Sequence, residues 1–456
     1  MRAQQLRRLR SACRWPITLL LAGASIARAQ DFILPPTVLL PNYDRVHPGL
    51  AEALEGGAYI ARAQHPPSVF YNPAGIATIE RSVLSATGQG YELTTVSGTG
   101  FEHSSPVSSV EAMPSFLGVV LGREVIDWKS VSLGFALVRS VHWDQSVIAT
   151  SVPAEGQRVS YSVHSTFDTW VPTASAGWAL SSTLRLGASL EFPYTTISDQ
   201  GQLSGEVTDS VSSQATVRSL ATSGWTLQLV GVVGAQWLPV PWLHLGVVAR
   251  SPGLKMLSGG SFQYEALSNA ASGTRHVFFQ DAAAQFEYRQ PMQVSTATAV
   301  EFGPVQLEVD LRWHNGTHTY NLLSSTEQGR IVDTSSGGPV TSGFVFPGVA
   351  YRARPIWNWS VGGRFHVGSE VTLSLGTYMD NSPADPATKV FRRVDLLGFR
   401  VGVAFQVEKL GMSLGAGWER GTASDNLALE GALLPAQSGQ LTLNTFSLLF
   451  SVDYKF

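Results

Sequence analysis

Gly411-Met412-Ser413-Leu414-Gly415 matches the Gly-x-Ser-x-Gly pattern that presents a nucleophile on a sharp strand-to-helix turn in serine hydrolases. Here Met412, Leu414, Ala416 and Trp418 alternate with smaller residues, which is the period of an unbroken strand. The spacing therefore predicts small residues on one strand face rather than a nucleophile. His314 and His318 stand four apart. On a helix they would form a ligand pair. On a strand at ~3.3 Å per residue they lie ~13 Å apart, too far to share a metal. Asp380, Asp385 and Asp395 lack calcium-loop spacing. The chain is expected to carry no catalytic site, no metal and no cofactor.

The elements that hold these residues read as strands. From Phe446 to Phe456 every second residue is large and apolar: Phe446, Leu448, Phe450, Val452, Tyr454 and Phe456. Period-two alternation puts them on one face. A chain that ends in Phe on such a strand resembles the assembly signature of outer-membrane proteins. The pattern recurs in Leu397–Val407, in Val305–Trp313 and in Leu184–Leu190. The alternate positions there include Arg185, Glu191, Glu308, Asp310, Arg312 and Arg400. An Arg facing lipid at the bilayer midplane costs ~2–4 kcal/mol, so these faces must point into a lumen. Together with Arg364, the lumen charges have two readings. They form a polar path or carboxylate anchor, or a charge ladder tying an inner segment to the wall; the ladder is preferred.

Fourteen strands are expected, near residues 83–96, 108–122, 130–148, 158–180, 183–197, 220–239, 242–264, 276–302, 304–321, 354–367, 370–380, 393–408, 411–421 and 441–456. The connections between them alternate short and long. Those at 198–219, 265–275 and 322–353 are among the long ones. Membrane barrels sort their connections this way, with short turns at one rim and long loops at the other. The expected fold is all-β: a 14-stranded antiparallel transmembrane β-barrel.

Composition agrees. Charged residues are 14% of the chain, against ~25% in soluble domains. No run after residue 29 reaches the ~18 apolar residues of a spanning helix. Residues 1–29 carry six of the 31 basic residues and no acid, then an apolar run and Ala27-Arg28-Ala29, the order of a secretory signal. Without them 25 basic residues face 34 acidic ones, a net charge of −9. That balance, with no polybasic run, argues against nucleic-acid binding. The single cysteine, Cys13, lies in this leader.

Residues 30–80 have no strand alternation and contain Pro35-Pro36, Pro41-Asn42, Gly56-Gly57-Ala58 and Pro66-Pro67. They are expected to fold into the bore as an N-terminal hatch, or plug, with residues 81–456 as the barrel. Asn72 and Pro73 suit this role: Asn caps a turn, and Pro fixes φ and gives up a donor.

Gly56-Gly57-Ala58-Tyr59 and Ser68-Val69-Phe70-Tyr71-Asn72-Pro73-Ala74-Gly75-Ile76-Ala77 resemble the hatch of the FadL/TodX family of outer-membrane transporters of fatty acids and hydrophobic compounds. Asn72, Pro73, Ala74 and Gly75 form its most recognisable element. His244–Pro252 with Gly259-Gly260 looks like that family's seventh strand, and Met379–Pro383 like the end of its eleventh. Ala61-Arg62-Ala63 departs from the family's Ala-Asp-Asp-like stretch, and the N-terminus is longer than usual.

The resemblance implies a monomeric barrel in the outer membrane, surrounded by outer-membrane lipid. It takes up small hydrophobic molecules, long-chain fatty acids or related hydrocarbons. They would bind in an apolar pocket and leave sideways at an inward kink of the third strand. Phe32 is the candidate for an apolar N-terminal residue that reaches the pocket. Arg250 and Lys255 are candidates to pair with a fatty-acid head group. The alternatives are a general porin, an outer-membrane enzyme, and an adhesin or structural barrel without a hydrophobic substrate.

Overall fold

The structure is a computed structural model that describes residues 42–49, 51–98, 103–105, 110–122, 130–151, 156–208, 213–385, 387, 391, 393–423 and 441–455. The expected leader, Phe32 and the start of the expected hatch lie outside the described residues.

Fourteen antiparallel strands close into a barrel. They are β1 Val83–Gly98, β2 Val110–Leu121, β3 Val131–Ser151 and β4 Gln157–Ala179. Next come β5 in two pieces, Leu184–Glu191 and Tyr194–Thr208, and β6 Ser213–Val240. β7 is also in two pieces, Leu243–Arg250 and Leu254–Ala270, as is β8, Gly273–Phe286 and Gln293–Phe302. Then follow β9 Val305–His314, β10 Ile356–Val367, β11 Val371–Asp380, β12 Asp395–Val407, β13 Leu410–Ala423 and β14 Leu441–Lys455. The circle closes where β14 pairs with β1, from Val83↔Lys455 to Gly98↔Leu441. Closure leaves neither the first nor the last strand as a free edge, which a lipid-facing wall requires.

Two connections expected to be long loops are strand instead. β5 runs on to Thr208 and β6 starts at Ser213, so most of 198–219 is paired backbone. β7 and β8 meet at Ala270↔Gly273, so 265–275 shrinks to a tight turn. The stretch 322–353 carries the short strands Tyr320–Ser324, Gln328–Asp333, Val340–Val345 and Val349–Tyr351. The physical reason is that the strands outrun the apolar belt and continue as ordinary hairpins, where Ser, Thr and Gln face water.

β4 shows the changeover within one strand. Near its end at Ala179, the outward residues are Trp170, Pro172, Ala174, Ala176 and Trp178, while Thr173, Ser175 and Gly177 face in. Farther from that end, Ser160, Ser162, His164 and Thr166 face out, and Val159, Tyr161, Val163 and Phe167 are buried inside. Trp170 and Trp178 stand eight positions apart, or roughly 26 Å of strand at ~3.3 Å each, close to the ~25 Å apolar band of a membrane barrel. On the far wall the outward pairs Leu375↔Val401 and Leu414↔Phe450 continue the belt. The barrel is thus apolar outside and polar inside over the belt, and the reverse beyond it.

β3 makes the same switch with a bulge. Its register to β4 slips between Arg139 and Val141. Ser140 and Val141 are both buried, so Trp143 turns inward and His142 and Asp144 turn outward. One inserted residue exchanges the two faces of a strand.

Within the barrel wall, residues 51–79 form short helical turns at Ala51–Leu54, Ser68–Tyr71 and Pro73–Thr78. Their own apolar core is one small cluster, Tyr59, Ala63 and Tyr71 with Phe70 against it. Ile60 and Ala61 pack on Val230, Val232 and Val248 of the wall, and Leu54 packs on Leu449.

Candidate functional site

The N-terminal segment is seated by charge and by close backbone approach. Glu55, fully buried, accepts from Arg62 and from Arg364 of β10. Arg62 also donates through Nε to Glu308 of β9 at 2.7 Å. Ala61 N donates to Glu308 at 2.6 Å, Tyr59 N donates to Asp310 at 3.1 Å, and Arg312 donates to the Gly57 carbonyl. Arg45 pairs with Glu419 of β13, which Arg400 of β12 also meets. The lumen charges expected from sequence therefore act as a ladder between segment and wall. Glu191 does not join it; that carboxylate meets Arg250.

Asn72, Pro73, Ala74 and Gly75 form one turn against the wall. Asn72 Oδ1 accepts from Ala74 N at 3.1 Å, capping the short helix that begins at Pro73. Its amide donates to Ile60 O at 3.0 Å and to Ala235 O of β6 at 3.1 Å. Gly75 lies so near Ala63 that a Cβ would fall 2.2 Å from the Ala63 carbonyl oxygen. Across from Asn72, a Cβ on Gly234 would fall 2.2 Å from Asn72 Oδ1.

A cavity, partly continuous with solvent, lies between this segment and the wall. Val46, Ile60, Phe70 and Tyr71 line it from the segment, and Val141, Val171, Val230 and Tyr288 from the wall. Many polar groups also reach it: Asp44, Glu191, Arg250, Arg312 and His314 bring ionisable side chains, beside Gln290 and Gln293. Beyond it stands the buried apolar cluster that includes Trp143, Phe167, Tyr288, Tyr320, Tyr351 and Phe391. Phe167 meets Tyr288 edge to face at 5.1 Å, and Tyr351 meets Phe391 at 4.9 Å. A concave site with apolar walls and placed polar groups is the usual form of a small-molecule site.

Arg250 points into this cavity with its donors already engaged. It meets Glu191 at 3.4 Å, Gln293 at 3.2 Å and the Phe70 carbonyl, and it stacks over the Phe70 ring at 4.8 Å. Lys255 is half-exposed, pairs with Glu287 at 2.8 Å and does not line the cavity. Ser413 sits in mid-strand with Oγ 3.0 Å from Ser451, without a strand-to-helix turn, and Gly415 faces Leu54 of the segment. His314 is buried, stacks on Tyr43 and meets Asp44 at 3.4 Å, while His318 is exposed.

Beside the cavity the wall is incomplete. β2 pairs with β3 only from Phe116↔Val138 to Leu121↔Leu133. Arg139–Val147 of β3 have no partner on the β2 side among the described residues. At this place Ser140 and Val141 line the cavity, and Val46 N donates to Ser140 O at 3.4 Å.

Sequence reasoning missed Tyr288, Gln290 and Pro291 as cavity residues. The available signal was proline inside two apparent strands, at Pro252 and Pro291, where proline marks an edge or a break.

No family model matches the sequence, and no curated protein matches it. Solved structures do match its fold. A Pseudomonas aeruginosa FadL homologue superposes with a TM-score of 0.56 at 13% identity, over 91% of this chain and 100% of its own. The Pseudomonas putida toluene transporter TodX gives 0.57 at 13% identity, over 91% and 100%. The CymD monoaromatic hydrocarbon channel gives 0.55 at 13% identity, over 91% and 99%.

Proposed function

We propose that this chain is an outer-membrane channel that takes up small hydrophobic molecules, binding them in the luminal cavity between the N-terminal segment and the wall. The observation that carries the reading is the placement of that cavity. Its surface is mainly apolar, it lies behind a segment that occupies the bore, and it adjoins a stretch of β3 with no β2 partner among the described residues. A water-filled pore gives a greasy solute nothing, whereas an apolar pocket recovers ~25 cal/mol for each Å² of solute surface taken from water. The segment acts as the hatch: it denies the bore to polar solutes while the solute passes sideways. The β2–β3 gap, with Ser140 and Val141 at its inner edge, is the exit to the bilayer. The fold shared with a toluene transporter and a monoaromatic hydrocarbon channel supports the same reading. The barrel acts as a single chain, because its first and last strands pair with each other and close the circle.

Arg250 bears on the class of solute. Its charge is compensated by Glu191 before any ligand arrives. An added carboxylate would have to displace that partner, so a neutral hydrocarbon fits the cavity better than a fatty-acid anion. The test is native mass spectrometry of protein purified in mild detergent, with organic extraction of the bound fraction. Recovery of a hydrocarbon or lipid-like ligand is expected. An empty protein that conducts polar solutes freely in a planar bilayer would instead identify a general porin.

A further inference from the structure

The wall is broken a second time, between β7 and β8. Arg250 pairs with Gln293 below the break and Gly260 with Ala284 above it. In between, one backbone hydrogen bond joins the two strands, from Gly253 N to Gln290 O at 3.0 Å. From Leu254 to Gly259, roughly 20 Å of β7 edge has no partner on that side.

The cause is an inward kink of β8. Tyr288 N donates to Thr226 Oγ1 at 3.2 Å, and Gln290 N donates to Gln228 Oε1 at 3.1 Å. Thr226 in turn donates to Phe286 O at 3.1 Å. Thr226 and Gln228 are inward side chains of β6, so β8 here crosses the inner face of β7. Glycine makes the crossing possible, since a Cβ on Gly224 would lie 2.5 Å from Phe286 Cγ.

Exposure shows the opening directly. Most strands of the barrel wall alternate, but Leu254 (66%), Lys255, Met256 (49%) and Leu257 (58%) are all exposed in succession. Both faces of β7 are therefore reachable at this place. The cavity reaches the inner side, where Ser251, Tyr288, Gln290 and Pro291 line it. Leu257 shares a register with Leu227, and Leu227 with Tyr194, the outward aromatic beside Trp225. The break thus sits at the interfacial edge of the apolar belt, where headgroups and water can serve backbone groups that lipid tails cannot. Across it, Lys255 of β7 meets Glu287 of the kink at 2.8 Å, and Arg289 holds the same carboxylate at 2.6 Å. An exposed pair of this kind is weak and opens readily.

We propose that the β7–β8 break is a second lateral port, through which a hydrophobic molecule exchanges between the cavity and the bilayer interface, with Lys255 and Glu287 as its latch. The port rests on the reading of the chain as a hydrophobic-solute channel. Its test uses Lys255→Cys with Glu287→Cys in the full chain, whose one native cysteine is Cys13. The pair is closed with a short bis-maleimide or left open.

Uptake of labelled toluene by cells and toluene binding by purified protein are measured in parallel. Closure is expected to slow uptake at least about threefold while equilibrium binding is unchanged. As a second variant, Lys255→Glu sets two carboxylates face to face and is expected to speed uptake about twofold or more. Undiminished uptake through fully cross-linked protein overturns the port and leaves the channel reading standing. Absence of both binding and uptake in the open protein overturns the channel reading and the port with it.

Discussion

Arg364, on the tenth strand, donates to Glu55 of the N-terminal segment through Nε at 2.8 Å and also through Nη2. Both groups are buried, and Glu55 holds Arg62 as well. Removing one partner of a buried ion pair costs about 3–5 kcal/mol, because the other charge is stranded. Glu55→Ala strands two arginines. The variant is expected to unseat the segment while the wall stays closed. Planar-bilayer recordings should show a rise in conductance to small ions, and the barrel should still resist unfolding in detergent on gels. Unchanged conductance would mean that the ladder does not hold the segment in place.

Asn72 makes three hydrogen bonds within and across the segment boundary. Asn72→Ala removes one donor each from Ile60 O, which keeps Gln236 Nε2, and from Ala235 O, at about 0.5–1.5 kcal/mol for each hydrogen bond lost. Limited proteolysis should then cut the segment faster than in the native chain. Gly234→Ala should act in the same direction from the other side, because its new methyl meets Asn72 Oδ1. If neither substitution changes the cleavage rate, the Asn72 turn is not the anchor described above.

Glu52 belongs to the N-terminal segment and not to a spanning strand. It is fully buried, and its carboxyl oxygens have no partner on another described residue. Burial pushes its pKa up to about 8, so it is protonated in the folded chain at neutral pH. The folded value lies above the ordinary carboxyl value, so the contribution to stability is complete below the unfolded pKa. It is lost as pH rises through about 8. Docking of the segment should therefore weaken as pH rises from the ordinary carboxyl range toward about 8, seen as conductance that climbs over this interval and levels off above it. Glu52→Gln should flatten the climb. An identical pH profile in the variant would rule Glu52 out as the titrating group.

The Arg250–Glu191 pair offers a separation of substrate classes. Glu191→Gln leaves Arg250 with a free charge in the cavity. A fatty-acid anion should then bind about tenfold tighter or more, since hydrogen bonds to charged groups are worth ~1.5–3 kcal/mol. Toluene affinity should not change. Equal effects on both ligands in calorimetry would place the ligand away from Arg250.

The strand pattern carried most of the fold. Leu397–Val407 and Phe446–Tyr454 alternate without interruption, and the structure turns their large residues outward. Asn72 and Pro73 stood out because capping and missing-donor chemistry are local properties of those residues. What stayed hidden depends on partners far along the chain. Gln285–Met292 reads as a continuation of β8, yet it bends inward to reach Thr226 and Gln228, about sixty positions earlier. The bulge at Ser140 changes which face is apolar without leaving any Gly or Pro as a marker. The stretch 198–219 looked like loop because Ser, Thr and Gln there suit water. Outside the belt, that is what a strand's outer face requires.

The ladder also dictates an order of events during assembly. Arg62 finds Glu308 across 246 positions, and Asn42 reaches the Asp380 carbonyl across 338. These sockets do not exist until the ninth and eleventh strands stand beside their neighbours. The leading stretch of the chain, made first, must therefore settle last. A newly inserted cylinder passes through a hollow stage, and the lifetime of that stage sets how long each new copy leaks.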